Sequence, residues 1–275
     1  MIEKNYHTHT YRCKHATGDV ADYCRRAVAE GLSVLGMSDH AALPDNRWIG
    51  VRMAFTELDA YCRAVDDARA AFPDLVVLKA MECEYDDGYA AYFRDELLGR
   101  CGMDYLIGAA HWFPHEGDWH GIYGNPMDPA GLRAYTRYVA RSMESGLFAF
   151  MAHPDLFACS YIEWDEHAIA ASREILAAAE ALRMPLEING YGLIKPLIET
   201  PDGIRRMYPI DRFWELAAEY DIRVVVNSDA HHVADLIGAT DKAFAIAERY
   251  GLAFANLDRL EVAYRPPAPE ASEKV

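Results

Sequence analysis

The stretch GDVADYCRRAVAEGLSVLGMSDH, residues 18–40, contains one complete helix–strand unit and indicates the fold of the whole chain. Residues 18–30 space their apolar side chains as on one face of a helix. Gly31 stands where a left-handed residue commonly ends a helix, and residues 33–38 form a short apolar run typical of a buried strand. The pair Asp39-His40 follows at once, so reactive side chains stand at the end of a strand.

The same alternation of helix and strand recurs along the chain. No linker rich in Pro, Gly or Ser interrupts it before about residue 264. This repetition predicts a βα array in a single domain, residues 1–264. The strand-like runs lie near residues 3–8, 33–38, 75–81, 104–109, 147–152, 185–189 and 222–227, and the helical patterns near 18–30, 57–71, 129–145, 165–183 and 211–220.

A closed barrel explains this pattern better than an open, doubly wound sheet. Histidines or carboxylates follow six of the seven strand-like runs. In a barrel all strand ends meet at one rim, so these side chains can share one centre. In an open sheet they would be spread along a line. We therefore predict an α/β barrel with a polar cluster at the carboxyl ends of its strands.

Bulk properties exclude several classes of protein. A net charge of −16 disfavours nucleic acid as a partner, because such binding needs Lys and Arg to neutralise phosphates. No apolar stretch approaches the roughly 20 residues of a membrane span. The N-terminus lacks the apolar core of a signal peptide, so we expect a cytoplasmic protein without a membrane partner. Residues 265–275, rich in Pro, Glu and Ala, are expected to be disordered.

Nine side chains are candidate metal ligands because they follow the strand-like runs. His7 and His9 stand two positions apart, so both point to one face of a strand, and so do Asp229 and His231. A lone histidine is more often structural, but nine candidates in phase with the strands predict a multinuclear metal centre. The nine are His7, His9, His15, His40, Glu82, His111, His153, Asp229 and His231.

In order, the motifs H-x-H, D-H, E, H, H-P-D and S-D-A-H resemble the PHP (polymerase and histidinol phosphatase) family. The resemblance covers nearly the whole chain and implies a distorted (β/α)7 TIM-like barrel. It also implies three divalent transition-metal ions, Zn, Fe or Mn, which suit a nitrogen-rich ligand set. By this resemblance His7, His9, Glu82 and Asp229 hold the first ion, Glu82 bridges to a second ion held by His111 and His153, and His15, His40 and His231 hold the third.

Two further stretches resemble the histidinol-phosphate phosphatase branch of that family. They are AMECEY at residues 80–85, and EIN at 187–189 followed by GLIKP at 192–196. The resemblance implies a phosphomonoesterase of histidine biosynthesis that acts on L-histidinol phosphate. Ile194 stands where this branch has Arg, so other cations must hold the phosphate. Lys195, Arg47 and Arg52 are the candidates by their positions in loops.

The expected reaction is attack on phosphorus by a hydroxide shared between two metal ions that Glu82 bridges. The predicted catalytic residues are Glu82, Asp229 and His231, the last two as candidate proton donors. Asp39 and Glu84 are expected to orient metal ligands without binding metal themselves.

Three alternatives stay open at this point. The same chemistry could serve another small phosphorylated substrate, such as a nucleotide or a sugar phosphate. An amidohydrolase barrel would share the H-x-H start and the late Asp but would attack C–N bonds. A barrel that keeps its metals as a sensor would have no activity. Nothing in the sequence indicates the oligomeric state.

Overall fold

The structure, a computed structural model, describes residues 2–262. The tail predicted to be disordered, residues 265–275, lies outside these residues. The α-helices of the described part are α1 (Val20–Glu30), α2 (Leu58–Ala71), α3 (Pro129–Glu144), α4 (Glu166–Leu182), α5 (Gly190–Ile194), α6 (Asp211–Ala217) and α7 (Thr240–Arg249), with a π-helix at Tyr92–Arg100. Its strands are β1 (Lys4–Asn5), β2 (Val34–Met37), β3 (Val76–Glu84), β4 (Tyr105–Ala109), β5 (Trp112–His115), β6 (Asp118–Gly121), β7 (Phe150–Met151), β8 (Leu186–Asn189), β9 (Leu197–Thr200), β10 (Gly203–Arg206), β11 (Arg223–Asn227) and β12 (Ala253–Phe254).

Eight of these strands form one parallel sheet, in the order β1-β2-β3-β4-β7-β8-β11-β12. The sheet curls until its first strand meets β11. Beyond the end of β11, Ala230 forms a parallel bridge with Thr8, and its carbonyl accepts a hydrogen bond from the His9 amide at 3.0 Å. At its other end β11 pairs with β12 instead. The sheet is therefore closed at the carboxyl rim and held open at the opposite end.

The predicted α/β barrel class is confirmed, and the seven strand-like runs correspond to β1, β2, β3, β4, β7, β8 and β11. The eighth strand, β12, was not predicted because it is two residues long and both its side chains are exposed. The hairpins β5–β6 and β9–β10 also escaped prediction, since they lie in the loops after β4 and β8 and contribute little apolar periodicity.

Local signals fix the helix ends. Asp19 caps α1 in a capping box with Asp22, and Gly31 ends the helix with φ 76°, where a side chain would be strained. Asp128 caps α3 by accepting a hydrogen bond from the Gly131 amide at 2.7 Å. In the described part of the chain, no helix is both long enough and apolar enough to cross a membrane.

The core has two layers. An inner cluster, which includes Leu78, Tyr105, Ile107, Phe150 and Val225, comes almost entirely from strands and fills the barrel. A larger outer cluster joins the other face of the sheet to the surrounding helices. Strand residues alternate between the two layers, as the period of two requires. This alternation decides which side chains reach the rim.

Candidate metal centre

Every second side chain of β3 points into the barrel, and these interior side chains change from apolar to acidic at the rim. Leu78 and Ala80 belong to the inner cluster, and the row continues by steps of two to Glu82 and Glu84. Both carboxylates are about 1% exposed. The sequence thus places two carboxylates at the top of the barrel by strand geometry alone.

Three other strands follow the same rule. Each has an apolar residue in the inner cluster, and a candidate ligand stands an even number of positions further along. These sets are Ile107 before His111 beyond β4, Val34 before His40 beyond β2, and Val225 before Asp229 and His231 beyond β11, where a φ of 51° at Asp229 interrupts the extended backbone.

Two candidates reach the centre in another way. Ala152 already faces the interior, so regular alternation would turn His153 outward. A φ of 29° at His153 breaks the alternation, and its ring lies beside Glu82. His15 comes from the loop after a 3₁₀ turn at Tyr11–Cys13, and among the nine candidates it is the exposed one.

Four buried atoms surround one point. The Nε2 atoms of His7 and His9 lie 3.1 Å apart. His7 Nε2 is 3.5 Å from Glu82 Oε2 and 3.5 Å from Asp229 Oδ1. His9 Nε2 is 3.6 Å from Glu82 Oε2 and 3.0 Å from Asp229 Oδ1. A tetrahedral ion with bonds of about 2.0–2.1 Å separates its ligands by about 3.3–3.4 Å, so these spacings fit one.

The nearest polar neighbours of the two carboxylate oxygens in this group are imidazole nitrogens. Glu82 Oε2 and Asp229 Oδ1 are buried and accept no hydrogen bond within the described residues. Burying two carboxylates together is costly unless positive charge compensates them. A cation between them and the two imidazoles removes that cost, so the residues present fit a metal ion.

The second oxygen of Glu82 faces a second group. Glu82 Oε1 lies 3.0 Å from His153 Nε2 and 3.7 Å from His111 Nε2. One carboxylate thus directs its two oxygens to two sets of imidazoles, which is the arrangement of a bridging ligand.

A third group involves His15 and His231, whose Nε2 atoms are 3.0 Å apart. The Nδ1 atom of His15 lies 2.7 Å from the Cys13 carbonyl, and that of His231 lies 3.0 Å from the Asp229 carbonyl. A carbonyl only accepts, so each Nδ1 carries the proton and two Nε2 lone pairs face each other. A cation between them relieves this repulsion.

His40 stands between these groups. Its Nδ1 lies 2.8 Å from Glu82 Oε2, while its ligand atom is also within 4.8 Å of those of His9 and His231. The expected trio of His15, His40 and His231 is thus adjacent, but His40 is turned towards Glu82.

Carboxylates outside the centre orient several of the candidate ligands. Glu187 accepts from His7 Nδ1 at 2.9 Å, and Glu84 accepts from His111 Nδ1 at 2.8 Å. Each contact fixes the tautomer and turns Nε2 to the centre. Asp39 Oδ1 lies 3.7 Å from His9 Nδ1, on the side away from the centre. The positions predicted for Glu84 and Asp39 agree with an orienting role, whereas the role of Glu187 was not predicted.

The electrostatics of the centre keep its carboxylates ionised. Burial alone would raise the pKa of Glu82, but the imidazoles of His111, His7 and His40 lower it well below its usual value. Burial acts in the same direction on the pKa of Asp229 and is likewise outweighed by His7 and His9.

The imidazoles divide into two kinds. Burial opposes the charged form of His9, but Asp229 and Asp39 outweigh it and raise the pKa of His9 to about 9. Burial and the proximity of His9 lower the pKa of His40 and of His231 well below the usual value. At neutral pH protons therefore compete with a metal ion for His9, but hardly for His40 and His231.

A cavity of about 230 Å³ opens onto the metal-facing side chains. His15, His40, His111, Asp229 and His231 form its floor, and aromatic rings form most of its walls. Within the described residues Lys195 is the one Lys or Arg that lines it. The Lys195 ammonium lies 4.6, 4.5 and 5.7 Å from the ring centroids of Tyr123, Tyr191 and Tyr208. Burial lowers its pKa.

The two arginines predicted to bind substrate do not line this cavity. Arg52 is 1% exposed, and its guanidinium donates to Glu84 Oε2 at 2.9 Å and to the Ala41 carbonyl at 3.2 Å. Arg47 lies by Asp86 and against the ring of Trp119. The structure thus assigns Arg52 to the support of Glu84, because a buried guanidinium needs a buried anion.

Comparison with known proteins is consistent with this geometry. The PHP domain model matches residues 5–190. A Deinococcus radiodurans protein named "Probable histidinol-phosphatase" is 30% identical over 243 residues, which are 84% of this chain and 86% of that protein. The chain belongs to the PHP family.

Two solved structures share the fold. Histidinol phosphate phosphatase HisK from Lactococcus lactis, solved with zinc, L-histidinol and phosphate, gives a TM-score of 0.68 at 15% identity, over 92% of this chain and 95% of that one. HisK from Listeria monocytogenes gives a TM-score of 0.66 at 23% identity, over 85% and 97% of the two chains. At these identities the likeness bears on the fold of this PHP protein.

Proposed function

We propose that this PHP protein is a metal-dependent phosphomonoesterase that hydrolyses L-histidinol phosphate to L-histidinol and inorganic phosphate. The observation that carries the proposal is the position of Glu82, whose two oxygens face two separate groups of imidazoles beneath one cavity. This arrangement suits two cations held side by side at a site open to a small ligand.

The proposed metal ligands are those that the resemblance to the PHP family implies. His7, His9, Glu82 and Asp229 hold one ion, Glu82 with His111 and His153 a second, and His15, His40 and His231 a third. We propose Zn, Fe or Mn for all three, because imidazole nitrogen predominates among the ligands. When bound, such ions acidify water to hydroxide near neutral pH and offset the charge of phosphoryl oxygens.

The remaining roles follow from the protonation of the side chains. The low pKa values of Asp229 and His231 make both poor proton donors at neutral pH. They act in catalysis as ligands in this proposal. Lys195 is the charged donor of the cavity wall, and we assign to it the phosphoryl oxygens and the departing alkoxide.

The substrate assignment has separate support. The curated relative carries its histidinol-phosphatase name at 30% identity over most of both chains. Residues 187–189 and 192–196, which resemble the histidinol-phosphate phosphatase branch, adjoin the cavity through Tyr191 and Lys195. On this basis we propose a place for the protein in histidine biosynthesis.

The first experiment is phosphate release from L-histidinol phosphate and from p-nitrophenyl phosphate, with elemental analysis of the same sample. We expect fast and selective release from histidinol phosphate by protein that contains two to three metal ions per chain. Equal, slow release from both compounds by fully metallated protein would contradict the substrate assignment and leave the phosphoesterase.

One observation favours a second candidate, a phosphatase for another small phosphate ester. Ile194, where the family branch has Arg, is 44% exposed and does not line the cavity, so a single Lys serves the phosphate. A panel of sugar phosphates and nucleotides distinguishes the two candidates. A kcat/KM for any of them that exceeds the value for histidinol phosphate would favour the second.

A further inference from the structure

A second and larger cavity lies on the other side of the segment that carries Lys195. Its volume is about 650 Å³, and its walls come from the hairpin β9–β10, the start of α6 and one face of α7. Leu193 lines this cavity, whereas Lys195 lines the smaller one. The two cavities therefore share a short stretch of chain as a wall but do not share their charged residues.

The charge of the larger cavity is opposite to that of the protein. The whole chain has a net charge of −16. Five cationic side chains and two carboxylates line the cavity, so its formal charge is positive. These side chains are Arg205, Arg206, Arg212, Lys242, Arg249, Asp202 and Asp211.

The two carboxylates are already paired at the surface. Asp202 lies 3.0 Å from Arg212, and Asp211 lies 3.2 Å from Arg249, with every one of these side chains more than half exposed. Exposed pairs of this kind stabilise a protein only weakly, so an incoming anion can compete for either arginine.

The other three cations have no carboxylate partner in the described part of the chain. Arg205 donates to backbone carbonyls, among them those of Ala158 and Ile162 at 3.0 and 3.1 Å. Arg206 donates to the Leu193 carbonyl at 2.7 Å. The Lys242 ammonium has neither a hydrogen bond nor an ion pair within residues 2–262, and only the backbone amide of this residue is paired, with the Ala239 carbonyl at 3.0 Å. Burial lowers the pKa of Arg205, as expected where positive charge is poorly compensated.

The same cavity also presents apolar surface. Trp164, Ile210 and Ile246 line it, and at its hairpin wall Leu197 and Ile204 are 57% and 70% exposed. An inorganic anion would contact the cations but leave these apolar side chains exposed to water. A ligand with a phosphate group and an aromatic or aliphatic body would use both parts of the wall.

We propose that this cavity is a binding site for an organic phosphate of nucleotide size, separate from the phosphatase centre. The phosphate groups contact Lys242 and Arg206, and the apolar body packs on the side of Trp164 and Ile246. Its volume lies within the roughly 300–1,000 Å³ of small-molecule sites. The proposal concerns binding alone and does not depend on the phosphatase assignment.

Calorimetric titration of the metal-loaded protein tests this site. The probe is the magnesium complex of the β,γ-imido analogue of ATP, which resists hydrolysis, and Lys195→Gln reports any binding of the probe at the phosphatase cavity. Lys242→Gln, alone and with Arg206→Gln, removes the cations of the proposed site. Arg133→Gln with Arg137→Gln, on the exposed face of α3, makes the same change of charge elsewhere.

We expect the double variant at the site to bind the probe at least about tenfold more weakly than the wild type, since hydrogen bonds to charged groups are worth about 1.5–3 kcal/mol. Lys242→Gln alone should give part of this loss, and the control pair should bind as the wild type does. An unchanged Kd in the double variant would overturn the proposal. So would a wild-type protein that does not bind the probe at millimolar concentration, or a loss of binding confined to Lys195→Gln.

Discussion

The strand-borne part of the centre and its loop-borne part differ in how firmly the fold positions them. Glu82 continues the interior row of β3, His7 and His9 follow β1 directly, and all three side chains are at most 1% exposed. His15 is exposed and depends on a loop contact with the Cys13 carbonyl. Side chains on buried strands keep their geometry without a ligand, whereas a loop residue is more easily displaced. Substitutions at Glu82, His7 or His9 should therefore reduce activity more than a substitution at His15.

The largest effect is expected at the bridging carboxylate. Glu82→Gln removes one negative charge shared by two groups of imidazoles, so it should weaken two ions at once. We expect a loss of kcat beyond the roughly 10- to 100-fold typical of residues that only support ligands. His15→Ala should lose less, because it weakens one ion. Steady-state kinetics at matched metal content provides the comparison, and equal residual rates would contradict the bridging role.

Strand alternation explains why so much of this centre could be predicted from the sequence. His40, Glu82 and His111 stand in register with apolar interior residues, so the sequence pattern places them at one rim. His153 was predicted from its motif and position, but the φ of 29° that turns it inward is set by tertiary structure. The pattern thus predicted which side chains meet at the rim better than it predicted the backbone conformations that bring them there.

The surroundings of the centre could not be predicted in the same way. The rings around Lys195 come from residues 123, 191 and 208, which no local periodicity relates. Arg52 was predicted to bind substrate because it lies in a rim loop, yet its pairing with Glu84 joins residues 32 positions apart. Such contacts depend on loop packing, and the sequence alone contains no signal for it.

A smaller loss is expected where a carboxylate supports a ligand without facing the centre. Glu187→Gln keeps the shape of the side chain but weakens the contact with His7 Nδ1. We expect a 10- to 100-fold loss of metal affinity or activity, as is typical of such partners. Metal titration of the chelator-treated protein measures it, with Glu174→Gln on the exposed face of α4 as a matched control. Wild-type affinity in Glu187→Gln would show that strand geometry alone orients His7.

The two sides should also respond differently to pH. In the metal-free protein the pKa of His9 is about 9, so at neutral pH a metal ion must displace its proton. Affinity at the His9 side should rise by about tenfold per pH unit for each proton displaced, until pH approaches 9. The low pKa of His231 leaves that residue unprotonated at neutral pH, so affinity at its side should stay nearly constant. Calorimetry in buffers of different ionisation enthalpy counts the protons released, and equal release from both sides would refute the distinction.

The smallest effect should arise at the cavity wall, where a single cation serves the substrate. Lys195→Gln removes the ammonium from among its three tyrosines but leaves every metal-facing side chain in place. We expect KM for a phosphomonoester to rise by about tenfold, the cost of one charge-assisted hydrogen bond at about 1.5 kcal/mol, with a smaller change in kcat. Arg47→Gln should leave both constants unchanged, because its guanidinium lies outside the cavity. A rise in KM of similar size in Arg47→Gln would mean that the loop after β2 closes over the substrate, and the cavity walls would then extend beyond those that surround Lys195.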